Sequence, residues 1–352
     1  MSSRPAAHRA HLLAHRPDRG STEPLLRWTE VPTPAVGPGQ ALVRTELLSV
    51  DPASRVFMSE IRSDLPPVAI GAVMRGYGIG QVVESRRADL PVGARVSGWT
   101  GWQEYQLADD AQLEEPFTVL PQPSRGTAPV PSEHALGVLG LTGITAWLGV
   151  ESTDPRPGET FLVAAAAGAV GSVAGQLARE RGARVVGIAG GSDKCRYVVD
   201  ELGFDACVDR HDPRWREILD AATPDGIDAD LETAGGEIFD RVLTRITPGA
   251  RIALVGMIAD YHADPQRRHG LRNLIEVAEQ RAVVRGLLVT DHSDRFEEIT
   301  SQLAIRLTDG RLRAVHDVVD GLENAPAALD RVFDGTGRGK ILVRVHSSDD
   351  ER

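Results

Sequence analysis

Apolar segments in the first third of the chain are short and are separated by proline and glycine. Examples are ALVRTELLSV (41–50), GQVVES (80–85) and GARVSGW (93–99). Runs of this length, bounded by turn residues, are typical of β-strands. We therefore predict that residues 8–125 form a strand-rich, partly open barrel, within a first domain of residues 1–135.

From residue 136 the pattern changes to apolar strands that alternate with amphipathic helices. Such a β-α-β-α series predicts an α/β domain with a doubly wound parallel sheet over residues 136–310. Residues 311–352 end in a helix-turn-strand segment that returns to the first domain. The predicted strands are 160–165, 183–190, 206–209, 229–234, 250–256 and 281–290, and the predicted helices are 136–150, 169–181, 193–203, 212–223 and 296–307.

The stretch AAAAGAVGSVAGQLA (164–178) joins the first of these strands to a helix through closely spaced small residues. A strand, a glycine turn and a helix start, in that order, are the context of a dinucleotide phosphate site. Gly168 is expected to permit the turn and Gly171 to let the backbone approach a pyrophosphate, which the helix N-terminus attracts. The alternative is a helix of small residues that packs on a sheet and binds no ligand.

The end of the second strand indicates which dinucleotide is bound. A site for NAD usually carries an acidic residue there, which holds the ribose 2′-hydroxyl. Residues 188–191 are IAGG, without a carboxylate, and Lys194 follows in the next helix. The sequence therefore favours NADP(H), with Lys194 beside the 2′-phosphate. The alternative is that Lys194 is a solvated helix residue, and the neighbouring Asp193 weakens the signal.

Cysteine and histidine usage argues against a metal. Neither Cys195 nor Cys207 lies in the barrel, and the histidines of that region, His8, His11 and His15, belong to a terminus that we expect to be frayed. Catalytic zinc needs such ligands on the barrel, and structural zinc needs four cysteines. Two cysteines also exclude a disulfide framework, and we do not expect them to form a structural pair. Without a metal, hydride delivery to an alkene conjugated to a carbonyl is the favoured chemistry.

Charge and hydropathy narrow the class of partner. The chain has 352 residues and a formal net charge of −11, which argues against nucleic acid and anionic membranes as partners. No apolar run approaches the roughly 18 to 20 residues of a membrane helix, and the N-terminus lacks the apolar core of a secretory signal. We expect a cytoplasmic protein with a small-molecule substrate. His134, His262 and His292 remain candidate acid-base groups.

The chain resembles the zinc-free branch of the medium-chain dehydrogenase/reductase superfamily, which includes leukotriene-B dehydrogenase/prostaglandin reductase and the alkenal double-bond reductases. The resemblance covers residues 8–346 and implies a GroES-like barrel, a Rossmann domain and a cleft for NADPH. The matching stretches include LLSVDP (47–52), VMRGYGIGQVVES (73–85), SGWTGWQEY (97–105), LGLTGITAWLG (139–149), GIAGGSDKCRYVVDELGFDA (187–206), DGIDADLETAGGEIFD (225–240), RIALVGMIADY (251–261), RGLLVTD (285–291) and GKILVRV (339–345).

The resemblance also implies positions for the site residues. It places the pyrophosphate at Gly168, Ala169, Val170 and Gly171, the 2′-phosphate at Lys194, and the nicotinamide half beside a further set of residues. Tyr261 is expected to donate a hydrogen bond to the developing enolate oxygen; its alternative is a tyrosine that only packs on the nicotinamide. The nicotinamide set is Val255, Gly256, Met257, Ile258, Tyr261, Leu287, Leu288 and Val289.

Several positions depart from the family pattern. Arg210 replaces a tyrosine and adds a second cation at the 2′-phosphate, whereas Thr233 and Gly337 each replace an asparagine that contacts the cofactor. On the substrate side, Ala53 replaces a tyrosine and Trp147 stands where a tyrosine is usual, so we expect a reshaped pocket.

The expected activity is NADPH-dependent reduction of the carbon-carbon double bond of α,β-unsaturated ketones or aldehydes, with hydride transfer to the β-carbon. The alternatives are an NADPH quinone reductase, or a nucleotide-binding protein of the same fold without turnover. The resemblance also implies a homodimer, although no stretch of the sequence by itself indicates an interface.

Overall fold

The computed structural model describes residues 4–17, 24–60, 63, 65–111, 115–120, 131–261 and 268–346. The strands, in chain order, are β1 (Ala7–Leu13), β2 (Leu26–Pro32), β3 (Ala41–Ser49), β4 (Tyr77–Ser85), β5 (Arg95–Trp99), β6 (Tyr105–Ala108), β7 (Thr118–Val119), β8 (Thr160–Ala164), β9 (Arg184–Ala189), β10 (Ala206–Asp209), β11 (Ile227–Glu232), β12 (Ile246–Leu254), β13 (Val283–Gly286), β14 (His316–Asp320) and β15 (Lys340–Arg344). The α-helices are α1 (Ala53–Met58), α2 (Ser132–Leu136), α3 (Leu141–Thr153), α4 (Gly171–Glu180), α5 (Ser192–Asp200), α6 (Trp215–Ala222), α7 (Gly236–Leu243), α8 (Ile258–Tyr261), α9 (Ile275–Glu279), α10 (Phe296–Thr308) and α11 (Ala325–Asp334).

The chain divides into a first compact unit, Met1–Leu136, Asp317–Val332 and Ile341–Arg352, and a second, Gly137–His316 and Phe333–Lys340. The predicted boundaries returned all of residues 311–352 to the first domain. The difference has a local cause, because the amide nitrogen of Gly339 donates a hydrogen bond of 2.7 Å to the carbonyl oxygen of Ala167. That bond holds the glycine-rich segment 335–339 in the second unit.

Among the described residues, the first unit contains a seven-stranded sheet in the order β14-β15-β3-β4-β5-β7, with β6 also paired to β3. The ladders from β15 through β7 are antiparallel, and β1 and β2 form a separate antiparallel pair. A buried cluster that includes Val43, Val82, Val96 and Phe117 packs on this sheet. The strand-rich fold predicted for this part of the chain is thus confirmed.

The expectation of a frayed terminus around His8 and His11 is wrong. Both residues lie in β1, and their side chains are only 4% and 2% exposed. The ring nitrogens of His8 lie 3.2 Å from Oγ1 of Thr33 and 3.3 Å from Oε1 of Gln103, and Nε2 of His11 lies 2.9 Å from the carbonyl oxygen of Leu322. These histidines are buried polar groups with hydrogen-bond partners, and burial lowers the pKa of each.

The second unit is built on a parallel sheet that, in the described part of the chain, has six strands in the order β10-β9-β8-β11-β12-β13. One face packs residues of α3, α4 and α10 against Phe161, Val163 and Leu231. The other face packs residues of α6 and α7 against Leu162, Val186 and Ile252. Helices on both faces of a parallel sheet define a doubly wound α/β unit, and its strand order is the Rossmann order.

The sequence located most elements of this unit, and β10 matches its prediction at both ends. Helix α7 was missed, although Ile238, Phe239, Val242 and Leu243 give it a helical apolar stripe that faces the core. No helix in the described residues is both long enough and apolar enough to cross a membrane.

Candidate dinucleotide site

The glycine turn follows β8 directly and opens α4. Gly168 donates a hydrogen bond of 2.8 Å to the carbonyl oxygen of Ala165, and Ser172 donates one of 3.1 Å to Gly168, which starts the helix. The amides of residues 169–171 precede that first helical hydrogen bond. Amides at this position of a helix are available to an anion.

The conformational roles within the turn differ from the prediction. The left-handed residue is Ala165, with φ of 50°, and not Gly168. Gly171 is required by close packing inside the turn, because a Cβ atom on it would lie 2.5 Å from the carbonyl oxygen of Ala165. The turn is therefore compact before any ligand is considered.

The turn lies where the strand order of the sheet reverses. β8 is hydrogen-bonded to both β9 and β11. From β8 the chain continues outward on one side through β9 and β10, whereas β11, β12 and β13 extend the sheet on the other side. Thr233, just after β11, donates a hydrogen bond of 3.1 Å from Oγ1 to the carbonyl oxygen of Ala164 at the end of β8. Crevices at such a reversal are the usual ligand sites of open α/β sheets.

The turn after β9 has no carboxylate of its own. Gly191 has φ of 94°, which a residue with a side chain rarely adopts. Asp209, at the end of β10, accepts hydrogen bonds through Oδ1 from the amides of Gly191 at 2.7 Å and His211 at 2.9 Å. Because Asp209 already bonds these two amides, it braces the turn.

Cationic side chains surround this turn. Lys194, in the first turn of α5, donates hydrogen bonds from Nζ to the carbonyl oxygens of Gly335 and Gly337. Nε of Arg210 lies 3.1 Å from the position that a Cβ on Gly190 would occupy, and Nη2 lies 3.2 Å from the corresponding position on Gly335. The structure thus brings together Lys194, Arg210 and Gly337, which the sequence had picked out separately.

Arg338 belongs to the same region and was missed by sequence reasoning. Its guanidinium lies 5.3 Å from the ring centroid of Tyr197 in α5, a cation–π contact. The sequence signal that could have identified Arg338 is a basic residue inside a glycine-rich segment. We call Lys194, Arg210 and Arg338 the basic cluster.

The loop after β12 forms the other end of the site. Val255 and Gly256 donate backbone hydrogen bonds of 3.0 and 3.3 Å to the carbonyl oxygen of Glu232, and Ile258 donates one of 3.1 Å to Thr233. A Cβ on Gly256 would lie 3.3 Å from Oη of Tyr261, the last residue of α8. The hydroxyl group of Tyr261 therefore lies against the loop that the resemblance placed beside the nicotinamide.

The remaining predicted nicotinamide residues lie around the same loop. Leu287 donates a backbone hydrogen bond of 3.0 Å to the carbonyl oxygen of Leu254. Its side chain and that of Val289 pack on the core, whereas Leu288 is 44% exposed. A Cβ on Gly235 would lie 2.8 Å from Cβ of Met257, so Met257 packs on the turn that follows β11.

Two buried acids on β11 were not identified from the sequence. Asp230 and Glu232 have no exposed surface. Oε1 of Glu232 accepts hydrogen bonds from the amides of Ala234 and Gly235, which shapes the turn beside the site. Burial raises the pKa of Glu232 to about 7, and burial together with the neighbouring Glu232 raises the pKa of Asp230 well above its usual range.

In the first unit, Ala53 begins α1 and is half-buried. Phe57 lies one helical turn further on, so the two residues share a face of α1. The Phe57 ring packs edge-on to Trp99 with centroids 6.1 Å apart, and Trp99 packs in the same way against Tyr77 at 5.6 Å. Ala53 therefore lies one helical turn before the first of three aromatic rings that are in contact with one another.

The structure does not support the predicted place of Trp147 in the substrate pocket. Its ring lies under the guanidinium of Arg306, 4.9 Å from the ring centroid, in a groove that also includes Leu177, Glu180 and Arg181. Those residues form the C-terminal end of α4, whereas the glycine turn is at its N-terminal end. The apolar periodicity of α3 did not reveal which face carried Trp147.

No group of three or more His, Cys, Asp or Glu side chains within the described residues is arranged to hold a metal ion. Of the candidate acid-base histidines, His134 lies in α2 and His292 in the 3₁₀ helix Val289–Arg295. His262 lies outside the described residues.

Comparison with known proteins agrees with this architecture. A family model for the N-terminal domain of oxidoreductase matches residues 9–115, and one named zinc-binding dehydrogenase matches residues 169–305. The chain is 36% identical to the NADPH-dependent curcumin reductase of Escherichia coli, over 99% of this chain and 100% of that protein. It is 34% identical to the NADP(+)-dependent 2-alkenal reductase of Nicotiana tabacum, over 88% of each. The crystal structure of CurA from Vibrio vulnificus in complex with NADPH superposes with a TM-score of 0.88 at 34% identity, covering 96% of this chain and 99% of that one.

A Rossmann unit with a glycine turn and a first unit of antiparallel strands define a medium-chain dehydrogenase/reductase. The chain belongs to the zinc-free branch of that superfamily, together with the curcumin, alkenal and prostaglandin reductases. The resemblance noted from the sequence is thereby confirmed, as is the combination of a GroES-like and a Rossmann fold.

Proposed function

We propose that this protein reduces the carbon-carbon double bond of α,β-unsaturated ketones or aldehydes with NADPH. Its family makes it an NADP-dependent oxidoreductase of the enone, alkenal and curcumin reductase type. The finer statement, hydride transfer to the β-carbon of a conjugated carbonyl compound, is supported chiefly by the position of Tyr261. Its hydroxyl lies beside Gly256, in the loop after β12.

The second unit fits NADPH on its own geometry. The compact turn at residues 168–171 offers amides and a helix N-terminus to the pyrophosphate. The turn after β9 offers a gap at Gly191, since nothing lies within 4 Å of the position of a Cβ there. We assign the 2′-phosphate to this gap, with the basic cluster of Lys194, Arg210 and Arg338 supplying charge and hydrogen-bond donors. When bound, NADPH supplies the hydride.

Tyr261 performs the chemical role that we assign to the protein itself. As the β-carbon of a conjugated substrate gains a hydride, negative charge moves to the carbonyl oxygen. A phenolic O–H aimed at that oxygen stabilises the charge more in the transition state than in the ground state, which is what accelerates the reaction. Solvent then protonates the α-carbon. Thr233 and the carbonyl oxygen of Glu232 support Tyr261 indirectly, because they hold the loop of residues 255–258 by backbone hydrogen bonds.

The first unit supports a preference for large conjugated substrates. Where a tyrosine is usual in the family, Ala53 carries only a methyl group, one helical turn before Phe57 in the series of rings formed with Trp99 and Tyr77. Aromatic faces and edges bind flat apolar groups well. We therefore propose that aryl-substituted enones are better substrates than short alkenals.

Turnover with a substrate panel tests the proposal. Purified protein is mixed with NADPH or NADH and with a short 2-alkenal, an aryl enone or a quinone, and products are identified by mass spectrometry and NMR. The expected result is a saturated ketone or aldehyde with NADPH, deuterated at the β-carbon when the cofactor carries deuterium. A hydroquinone as the sole product supports the quinone reductase alternative, and tight NADPH binding without turnover on any acceptor supports a binding protein.

A further inference from the structure

The two cysteines of the chain lie in contact in the folded protein. Sγ of Cys207, in β10, lies 3.0 Å from Sγ of Cys195, in the first turn of α5, and both residues are half-buried free thiols. They are the only cysteines among 352 residues. From the sequence the two were not expected to form a structural pair, and they lie 12 positions apart in the chain.

The pair directly adjoins the basic cluster. Cys195 follows Lys194, whose Nζ donates to the carbonyl oxygens of Gly335 and Gly337. Cys207 lies two residues before Asp209, whose carboxylate accepts the amide hydrogen of Gly191. A covalent change at the two sulfur atoms therefore acts on both elements that form the gap assigned to the 2′-phosphate.

The two thiols are chemically distinct. The Cys207 thiol donates a hydrogen bond to the Cys195 sulfur, and this bond lowers the pKa of Cys195. The same contact and burial raise the pKa of Cys207. Of the two thiols, Cys195 therefore ionises more readily and is the nucleophile of the pair, and Cys207 is placed to attack it in a second step.

We propose that Cys195 and Cys207 are a redox site at which a peroxide forms a reversible disulfide that weakens the binding of NADPH. The link to cofactor affinity rests on the assignment of the 2′-phosphate to the basic cluster, whereas the formation of the disulfide does not.

The chemistry balances with hydrogen peroxide as the oxidant. The Cys195 thiolate attacks one peroxide oxygen, the O–O bond breaks, and the departing hydroxide takes a proton to become water, which leaves a sulfenic acid on Cys195. The Cys207 sulfur then attacks Sγ of Cys195, the S–O bond breaks, and a second water leaves with the Cys207 proton. Two thiols are oxidised to one disulfide while one peroxide is reduced to two waters. A dithiol reductant reverses the change.

The disulfide alters the site through a small displacement. A disulfide bond is about 2.0 Å long, so the sulfur atoms must approach by about 1 Å from their separation of 3.0 Å. This draws the first turn of α5, which carries Lys194, toward β10. We expect the dissociation constant of NADPH to rise by about threefold or more. A change of this size corresponds to weakening, without losing, one charge-assisted hydrogen bond. NADH, which lacks the 2′-phosphate, should respond much less.

The first experiment measures the chemistry without any cofactor or acceptor. Intact-mass spectrometry after treatment with hydrogen peroxide should show a loss of about 2 Da in the monomeric chain, and a dithiol should restore the original mass. Cys195→Ser and Cys207→Ser should each abolish the 2 Da loss. Persistence of both thiols, overoxidation without a disulfide, or a disulfide only between two chains would overturn the proposal.

The second experiment measures NADPH and NADH binding to the wild-type protein in its reduced and oxidised forms by calorimetry. A selective loss of NADPH affinity that the reductant reverses supports the coupling, and equal affinities in the two forms overturn it. The wild-type comparison does not depend on whether the serine variants fold. If the disulfide forms but the affinities for NADPH and NADH fall equally, the redox reaction of the two cysteines is supported. The placement of the 2′-phosphate at the basic cluster is then refuted.

Discussion

Lys194 and Gly337, separated by 143 residues in the sequence, are joined by a hydrogen bond from the lysine ammonium to the glycine carbonyl oxygen. The contact fastens the glycine-rich segment 335–339 to the first turn of α5. It also explains how a position without an amide side chain can still contribute to the site, because Gly337 acts through its backbone. The basic cluster is thus partly built by a segment near the C-terminus.

Replacement of Lys194 by methionine should weaken the binding of NADPH and leave the binding of NADH nearly unchanged. The variant loses both the charge beside the proposed position of the 2′-phosphate and the bonds that hold segment 335–339. We expect KM for NADPH to rise by about tenfold or more, the effect of about 1.4 kcal/mol or more, while KM for NADH changes little. Steady-state kinetics with both cofactors measures this.

Arg196→Met is the matched control for that variant. Arg196 is on the same helix and carries the same charge, but it pairs with Asp193 on the surface, where both side chains are about 70% exposed. Its removal should leave the preference for NADPH intact. A loss of selectivity equal to that of Lys194→Met would mean that net charge, and not the basic cluster, discriminates the cofactors.

Tyr261→Phe should lower kcat with little change in KM for the acceptor. The variant keeps the ring that packs in the loop after β12 and removes only the hydroxyl beside Gly256. Loss of a donor to a developing oxyanion typically costs on the order of 10²-fold in rate. Tyr105→Phe, in β6, is the control. If Tyr261→Phe keeps the wild-type kcat, Tyr261 only packs in the loop and does not take part in the reaction.

Ala53→Tyr should shift the substrate range toward small alkenals. A phenol ring at this position adds bulk on the face of α1 that carries Phe57, so kcat/KM for an aryl enone should fall by about tenfold while that for a short 2-alkenal is kept. Trp147→Tyr, which also restores a family residue, should alter neither, since Trp147 lies in the groove with Arg306. Equal effects of the two substitutions on the aryl enone would place Trp147 back in the substrate pocket.

Local patterns predicted local structure well. The strand of residues 206–209 and the strand-turn-helix order around the glycine turn follow from apolar periodicity and small residues that the chain itself displays. Contacts between distant segments were not predictable in the same way. The bonds from Lys194 to segment 335–339 and the burial of His8 and His11 depend on which elements meet in space, and a single sequence carries no record of that.

The open edge of the parallel sheet predicts self-association through β13. Within the described residues, β13 pairs only with β12, and Val283 and Val284 on it are 54% and 37% exposed. An exposed apolar edge strand pairs readily with another strand, and a second copy offers the same edge for a twofold interface. We expect a homodimer by light scattering and a monomer for Val284→Lys. A monomeric wild-type protein, or a dimeric Val284→Lys variant, would exclude the β13 edge as a dimer interface.

The buried acids of β11 predict how stability depends on pH. Burial raises the pKa of Glu232 to about 7 and that of Asp230 well above its usual range, whereas both titrate near pH 4 in an unfolded chain. Between these values the folded protein holds protons that the unfolded chain releases, so this pair makes the free energy of unfolding fall as pH rises. Asp230 is flanked in the sheet by Leu162 and Ile252, whose apolar side chains give its carboxylate neither a hydrogen bond nor an opposite charge.

Asp230→Asn removes one ionisation from this site and so should become progressively more stable than the wild type as pH rises. We expect the difference in unfolding free energy to grow by about 1 kcal/mol or more between about pH 5 and pH 8. Urea denaturation of both proteins across that range measures it, and the subtraction cancels the titration of the buried histidines. Asp200→Asn, which removes an exposed carboxylate from α5, is the matched control. Parallel stability curves for the wild type and Asp230→Asn would mean that Asp230 does not ionise at a cost to the fold.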